Sequence, residues 1–258
     1  HLLSDFRTAH GEWLDRMFTD TVAALLHQEL VTLETVAQDG MRVRANAGSS
    51  SFHRPATLEQ CRETARAQVQ RLREEAENEA EASQAHARRE AARRRAVEER
   101  EARVEQALQE VAQLQQEKES RKKGDGEKAR ASTTDPEARR MKMADGGFRP
   151  AYNVQFATDG DARVIVGIDV TNSGNDHGKM APMYEQLHAR YGRRPFEYQV
   201  DGGFAKKEDI TTLEQHGTKV FAPLHGAERM RKKGRDPYAP QPDDSAEMRV
   251  FRQRMATE

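Results

Sequence analysis

Two aspartates stand where an alternating apolar pattern runs into glycine. In FEYQVDGGF, residues 196–204, Phe196, Tyr198 and Val200 alternate with Glu197 and Gln199, and the pattern stops at Asp201, Gly202 and Gly203. In VTLETVAQDGMRVRANAG, residues 31–48, Val31, Leu33, Thr35 and Ala37 share one side of a second alternating run that leads to Asp39 and Gly40. Two carboxylates a few ångströms apart repel, and one takes up a proton unless a cation lies between them. A hard divalent ion such as Mg²⁺ suits carboxylate oxygens and keeps several of its waters. Two such ions about 4 Å apart can activate a water or a 3′ hydroxyl and stabilise the leaving oxygen at a phosphodiester. Glycine after each aspartate would leave room for a nucleic-acid backbone to approach.

The same residues have a plainer reading. Asp-Gly is first of all a turn signature, and Asp39-Gly40 between alternating apolar residues predicts a hairpin, with Asp39 at the end of one strand. A near-copy of the second motif, ADGGF at 144–148, follows a charged segment rather than a strand and reads as a turn alone. The preceding strand, not the DGG, separates the two copies.

The elements that must position these aspartates follow from periodicity. Residues 1–30 have helical spacing in Leu14, Met17, Phe18, Val22, Leu25 and Leu26, with Ser4 or Asp5 as caps. Residues 31–55 carry the first strands. Between Ala56 and Lys123 there is neither Gly nor Pro, and acidic and basic residues are interleaved in equal numbers. That composition suits solvated helix laced with i,i+4 pairs. One unbroken helix at about 1.5 Å per residue would reach on the order of 100 Å. The reading is therefore a hairpin of two helices or a coiled coil over 56–125, with an apolar seam at Val97, Val104, Leu108 and Val111 and only alanines near 73–95. Residues 126–149 read as a linker.

Beyond the linker, residues 150–224 alternate between strand and helix. AYNVQFATD and ARVIVGIDV are two strands joined at Asp159-Gly160-Asp161, a helix spans about 177–191, FEYQVD is a strand, KKEDITTLEQHG is a short helix, and KVFAPL is a last strand. Residues 225–258 read as a basic loop and the start of a helix. Hairpins first and strand-helix units later predict a mixed sheet covered by helices, with functional residues at the carboxyl ends of strands.

Composition narrows the class. The net charge of −1 excludes a whole-chain basic field and leaves local basic clusters as the route to nucleic acid. The single cysteine, Cys61, allows no internal disulfide and fits a reducing cytoplasm. No apolar run approaches the roughly 20 residues that span a bilayer, so no membrane association is expected. The chain starts at His1, which fits a piece of a longer protein.

Taken in order, AQDGMRVRANAG, TDPEARRMKMADGGFRPAYNVQFATD, VTNSGNDHGKMAPMYEQL and YQVDGGF resemble the DDE transposases of bacterial insertion sequences, in the branch whose helical insertion follows the first catalytic strands. The resemblance implies an α/β, RNase H-like mixed sheet with flanking helices and a long charged helical insertion. It implies an enzyme that cuts and joins DNA ends with two divalent ions, Mg²⁺ or Mn²⁺. Asp39 matches the first acidic residue of the triad and Asp201 the second, both as catalytic metal ligands. The third is a Glu on a helix after the last core strand. Glu247 and Glu258 are the nearest acids, neither in the family's Tyr/Arg context, so the chain is expected to stop short of it, as it is expected to lack most of a preceding DNA-binding region. The implied partners are transposon ends and target DNA, with a homo-oligomer assembled on them, no small-molecule substrate, and a bacterial cytoplasmic setting at the nucleoid.

Other charged residues admit two readings each. Arg42 and Arg44 on alternate strand positions, Lys206 and Lys207 after the second aspartate, and Arg231, Lys232 and Lys233 in ERMRKKGRD could hold phosphates or could be solvated surface charge. His177 has no second His or Cys at ligand spacing and is not a zinc site. Asp176 reads as a helix-start residue, Asp169 as a solvated strand residue, and Trp13 as packing. Two rival functions remain open at this level: a non-catalytic coiled-coil interaction protein, and an RNase H-like nuclease that cuts without joining.

Overall fold

The computed structural model describes residues 2–78, 84–224 and 226–257. In chain order the elements are α1 (Leu2–Ala9), α2 (Gly11–His27), β1 (Thr35–Arg44), β2 (Phe52–His53), α3 (Pro55–Asn78), α4 (Gln84–Arg121), β3 (Ala131–Ser132), β4 (Arg139–Lys142), β5 (Phe148–Asp159), β6 (Ile165–Thr171), α5 (Met180–Tyr191), β7 (Glu197–Val200), α6 (Lys207–Gln215), β8 (Lys219–Phe221), α7 (Ala227–Lys232) and α8 (Ala246–Thr257). They form two compact units, His1–Met41 with Asn153–Glu258, and Arg42–Tyr152.

The first unit is built on a mixed sheet in the order β6-β5-β1-β7-β8. β5 and β6 are antiparallel, whereas β1, β7 and β8 are parallel to one another. Gly160 N–H donates to Thr35 O at 2.8 Å, which fixes where β1 enters the ladder beside the β5–β6 turn. Register puts Val36, Tyr198 and Val220 in one row, all fully buried. Tyr184 of α5 stands edge-on to Tyr198, with ring centroids 6.0 Å apart. Met180, Met183, Leu187, Ile210, Leu213, Met248 and Phe251 complete the core, together with Val22 and Leu26 of α2. Side chains of this kind each contribute about 1.5–3 kcal/mol when fully buried.

The expected hairpin at Asp39-Gly40 does not form: β1 runs straight through both residues to Arg44. The strand pairs with β7 up to Gln38 and with β5 on its other edge, and its place in the sheet overrides the turn preference of Asp-Gly. The Asp159-Gly160-Asp161 turn does form, and Asp159 does more there than turn the chain. It is 1% exposed; its Oδ2 accepts from Leu33 N–H (2.9 Å) and Thr32 N–H (3.3 Å), and its Oδ1 from Ala162 N–H (2.8 Å) and Asp161 N–H (3.2 Å). Leu33 has a positive φ of 59°, and this carboxylate holds it there at the entry to β1. Asp159→Asn puts an amide donor against N–H groups and is expected to cost about 2 kcal/mol, read as a lower urea midpoint.

Near the end of the chain, Asp244 forms a second buried anchor. Its Oδ2 accepts from Arg252 Nε at 2.6 Å and from Gln241 N–H at 2.7 Å, and Lys207 Nζ lies 3.3 Å from Oδ1. Burial alone would raise the Asp244 carboxyl, but these donors outweigh it and hold the group below the ordinary aspartate value. A depressed pKa in the folded state means the stabilisation is complete above the unfolded value and is lost as pH falls through the folded one. Wild type should exceed Asp244→Asn in stability at pH 7, and the gap should close on titration below about pH 4, measured by thermal melts across pH.

The second unit contains the helical insertion. α3 and α4 pack antiparallel: Arg66 pairs with Glu105 (2.6 Å) and Glu101 (3.6 Å), and Arg93 with Glu75 (3.7 Å). Residues 79–83, between them, lie outside the described residues. Leu58, Ala107, Val111, Ala129 and Ala131 form a small core of their own. Residues 126–149 are therefore more than a linker: β3 pairs with β2, and β4 pairs antiparallel with the start of β5. Arg139 of β4 pairs with Glu110 of α4. ADGGF is the turn between β4 and β5, with Gly146 at φ 84° and Asp145 paired to Arg149 at 2.6 Å.

Candidate functional site

β1 and β7 are neighbouring parallel strands, and their paired residues directly precede the two sequence-predicted aspartates. Their parallel register runs Thr35↔Glu197, Val36↔Tyr198, Ala37↔Gln199 and Gln38↔Val200. The register ends one residue before the two aspartates: β1 continues through Asp39 to Arg44, whereas β7 stops at Val200 and Asp201 opens the turn that follows. Both residues are exposed. Asp39 alternates with Gln38 and Gly40, so its side chain leaves the opposite face of the sheet from theirs. Asp201 braces the turn after β7: its Oδ1 accepts from Gly203 N–H at 2.8 Å, and its carbonyl accepts from Phe204 N–H at 3.2 Å. Phe204 is fully buried, which fastens the turn to the core.

The glycines prove to be demanded by the chain itself. A Cβ on Gly40 would lie under 3.0 Å from Asp176 Oδ1, Gln155 Nε2 and Asn153 Oδ1. A Cβ on Gly202 would meet Pro223 O at 2.9 Å. Close packing of neighbouring chain, rather than access for a nucleic-acid backbone, accounts for both.

Beneath the strand ends lies a buried polar network that sequence reading missed. Tyr198 OH donates to Gln38 Oε1 (2.8 Å), and Gln38 Nε2 donates to Gln155 Oε1 (3.0 Å) and Lys179 O (3.1 Å). Gln155 Nε2 (2.8 Å) and Asn153 Nδ2 (2.7 Å) both donate to Asp176 Oδ1. Asp176 is 9% exposed, so it is an interior carboxylate beside the site and not merely a helix-start residue. Burial pushes the Tyr198 hydroxyl well above the usual tyrosine value, which keeps it a donor to Gln38. The available signal was the alternation in AYNVQ: Asn153 and Gln155 are polar at positions that β5 turns inward.

The remaining predicted residues are spread more widely. Lys207 is committed to Asp243 and Asp244, and Lys206 lies 4.0 Å from Asp209. Arg231 and Lys232 are on the short helix α7 and Lys233 follows it; Arg231 lies over the Tyr238 ring at 5.8 Å, and Lys232 pairs with Glu228 at 3.3 Å. Arg42 and Arg44 belong to the second unit, at the far end of β1. Glu247 is in the first turn of α8, where its own N–H and Ser245 hold its carboxyl low. Glu258 lies outside the described residues. Trp13 is 47% exposed, against the expectation of a packed residue, and meets Phe6 edge-on. Among the described residues, no group of three or more His, Cys, Asp or Glu is arranged to hold a metal ion.

A mixed sheet with flanking helices is consistent with the RNase H-like fold of DDE transposases, which act on nucleic-acid phosphodiesters. The model of the transposase DDE domain family matches residues 124–257, just over half of the chain, and the protein belongs to that family. Asp201 lies within the match and Asp39 outside it. The searches of curated proteins and of solved structures gave no match. Family membership makes DNA the partner and divalent metal ions the cofactor class. Among the described residues, no helix is long and apolar enough to cross a membrane.

Proposed function

We propose that this chain carries the first two metal-binding aspartates of a DNA transposase that hydrolyses the phosphodiester at transposon ends and joins the freed 3′ end to target DNA. The observation that supports this reading is the parallel register of β1 and β7, which pairs Gln38 with Val200, the residues just before Asp39 and Asp201. The residues suit a hard cation. Both carboxylates are exposed, and Asp201 is already oriented by the Gly203 N–H. When bound, Mg²⁺ or Mn²⁺ would lower the pKa of an attacking water or 3′ hydroxyl and neutralise charge at the phosphorus.

The chain's own contribution is position. β1 continues in strand through Asp39, just past its pairing with β7, and the buried Phe204 keeps the Asp201 turn in place. Arg42, Arg44, Lys206, Arg231, Lys232 and Lys233 would serve as phosphate contacts in the assembled complex, which we take to be a homo-oligomer on paired DNA ends. Lys207 is a weaker candidate, because engaging DNA would cost its two ion pairs.

The test uses labelled DNA that carries the inverted repeats flanking the encoding gene. The purified chain, with Mn²⁺ or with EDTA, is assayed for nicking at the repeat boundary and for joined products. Boundary nicking with Mn²⁺ followed by joined products supports transposition. Nicking without joined products would favour the plain nuclease. A gene without flanking repeats, together with a chain that binds no Mn²⁺, would overturn both.

A further inference from the structure

We propose that the exposed face of the β4–β5 ladder, in the second unit, is a platform for single-stranded DNA: the Phe148 ring stacks on a base, and Lys142 and Arg140 hold phosphates beside it. DNA is the partner class that the family supplies, and the family match includes both strands. The metal reading is not needed. β4 and β5 pair antiparallel, with Lys142 opposite Phe148 and Arg140 opposite Pro150. Residues directly opposite in such a ladder leave the same face, with Cβ atoms about 5 Å apart. Arg140 and Lys142 are exposed on either side of the buried Met141, so both cations and the ring share one face. The cations stand about 6.8 Å apart along the strand, which lets them reach successive phosphates of one DNA strand.

The ring and the charges are both left open by the rest of the protein. Phe148 is 59% exposed, and no large apolar side chain among the described residues is more exposed. The neighbouring Arg139 pairs with Glu110, and Arg149 with Asp145. Arg140 and Lys142 make no ion pair among the described residues. The acids nearby in the chain are engaged elsewhere: Asp145 with Arg149, Asp135 with the Tyr152 hydroxyl, and Glu137 with Gln106. The patch is therefore an unneutralised positive face with an aromatic ring on it, the complement of a polyanion with free base faces. Rings stack on bases in this way only where the bases are unpaired, which selects a single strand over a duplex. Charges on an edge strand also deter pairing with another chain, but an exposed ring beside them would work against that role.

The test measures binding of the full chain to a fluorescein-labelled oligothymidylate by fluorescence anisotropy, in EDTA and over a range of salt. Phe148→Ala is expected to bind about 10-fold more weakly, with an unchanged circular dichroism spectrum and little change toward a duplex of the same length. Arg140→Gln with Lys142→Gln should also bind more weakly and should flatten the dependence of log affinity on log salt by about 1.4, at about 0.7 per cation lost. Wild-type binding by Phe148→Ala would overturn the platform even if the charge variant binds weakly. So would an unchanged salt dependence in the charge variant, or a wild-type chain that binds duplex and not oligothymidylate. Should Phe148→Ala fail to fold, Phe148→Leu keeps the apolar bulk without the ring; it should bind several-fold more weakly, and wild-type binding there would also overturn the proposal. Because the assay contains no metal and reads binding alone, its failure leaves the metal reading untouched, and a chain that binds no Mn²⁺ leaves this inference untouched.

Discussion

Replacing Asp201 by Asn is expected to abolish metal-dependent cleavage, by about 10³-fold or more, and Asp39→Asn to do the same. The substitution is nearly isosteric. The amide that replaces the Asp201 carboxylate would still accept from Gly203 N–H through its oxygen, so the turn and the buried Phe204 should remain in place. What is lost is one of the two negative charges proposed to hold the ion. A hard cation held by a single carboxylate and waters has little to fix it against the reacting phosphate. The double variant should be no worse than either single one, because the two residues act as a unit. Cleavage rates with Mn²⁺ and Mn²⁺ affinities measured in parallel check this. Additive losses, or a variant that keeps both binding and cleavage, would show that the pair does not share an ion.

The second large effect is expected at a residue with no side chain. Gly40→Ala places a methyl under 3.0 Å from three polar atoms, Asp176 Oδ1, Gln155 Nε2 and Asn153 Oδ1. All three are side-chain ends, but they are locked by their neighbours. Gln155 and Asn153 are fully buried on β5, and both are bonded to Asp176. The strand must move or the amide clamp must break, and overpacking combined with stranded buried donors should cost about 3 kcal/mol or more. Urea unfolding reads this as a lower midpoint at unchanged slope. Gly11→Ala, at the start of α2 with nothing within 4 Å of its Cβ position, is the matched control and should be neutral or slightly stabilising. Equal midpoints for the two variants would mean that the space above Gly40 is not filled as described.

Much of the architecture was legible because it is written in local periodicity. The Gly- and Pro-free charged stretch folds as α3 and α4, the Asp159 turn forms, and the strand-helix alternation after residue 150 yields β5 to β8 with α5 and α6 between them. ADGGF is a turn as expected, but the premise failed: strand β4 precedes it, and the turn joins β4 to β5. The hairpin at Asp39-Gly40 went astray for a definite reason. Asp-Gly reports a local turn preference, while the path of β1 is decided by pairing with β5 and β7, far away in the chain.

The sequence by itself determined which residue types could bind a cation and that each ends a strand-like run, because side-chain chemistry and alternation are local properties. That the runs leading to residues 39 and 201 pair side by side was decided only by tertiary structure, since parallel register depends on which strands pair and in what order. The same holds for Asp176, an interior carboxylate only because Asn153 and Gln155 reach it from another strand. Gly40 shows the division most sharply: in the sequence it marks a turn, and in the fold it is the space that a buried carboxylate fills.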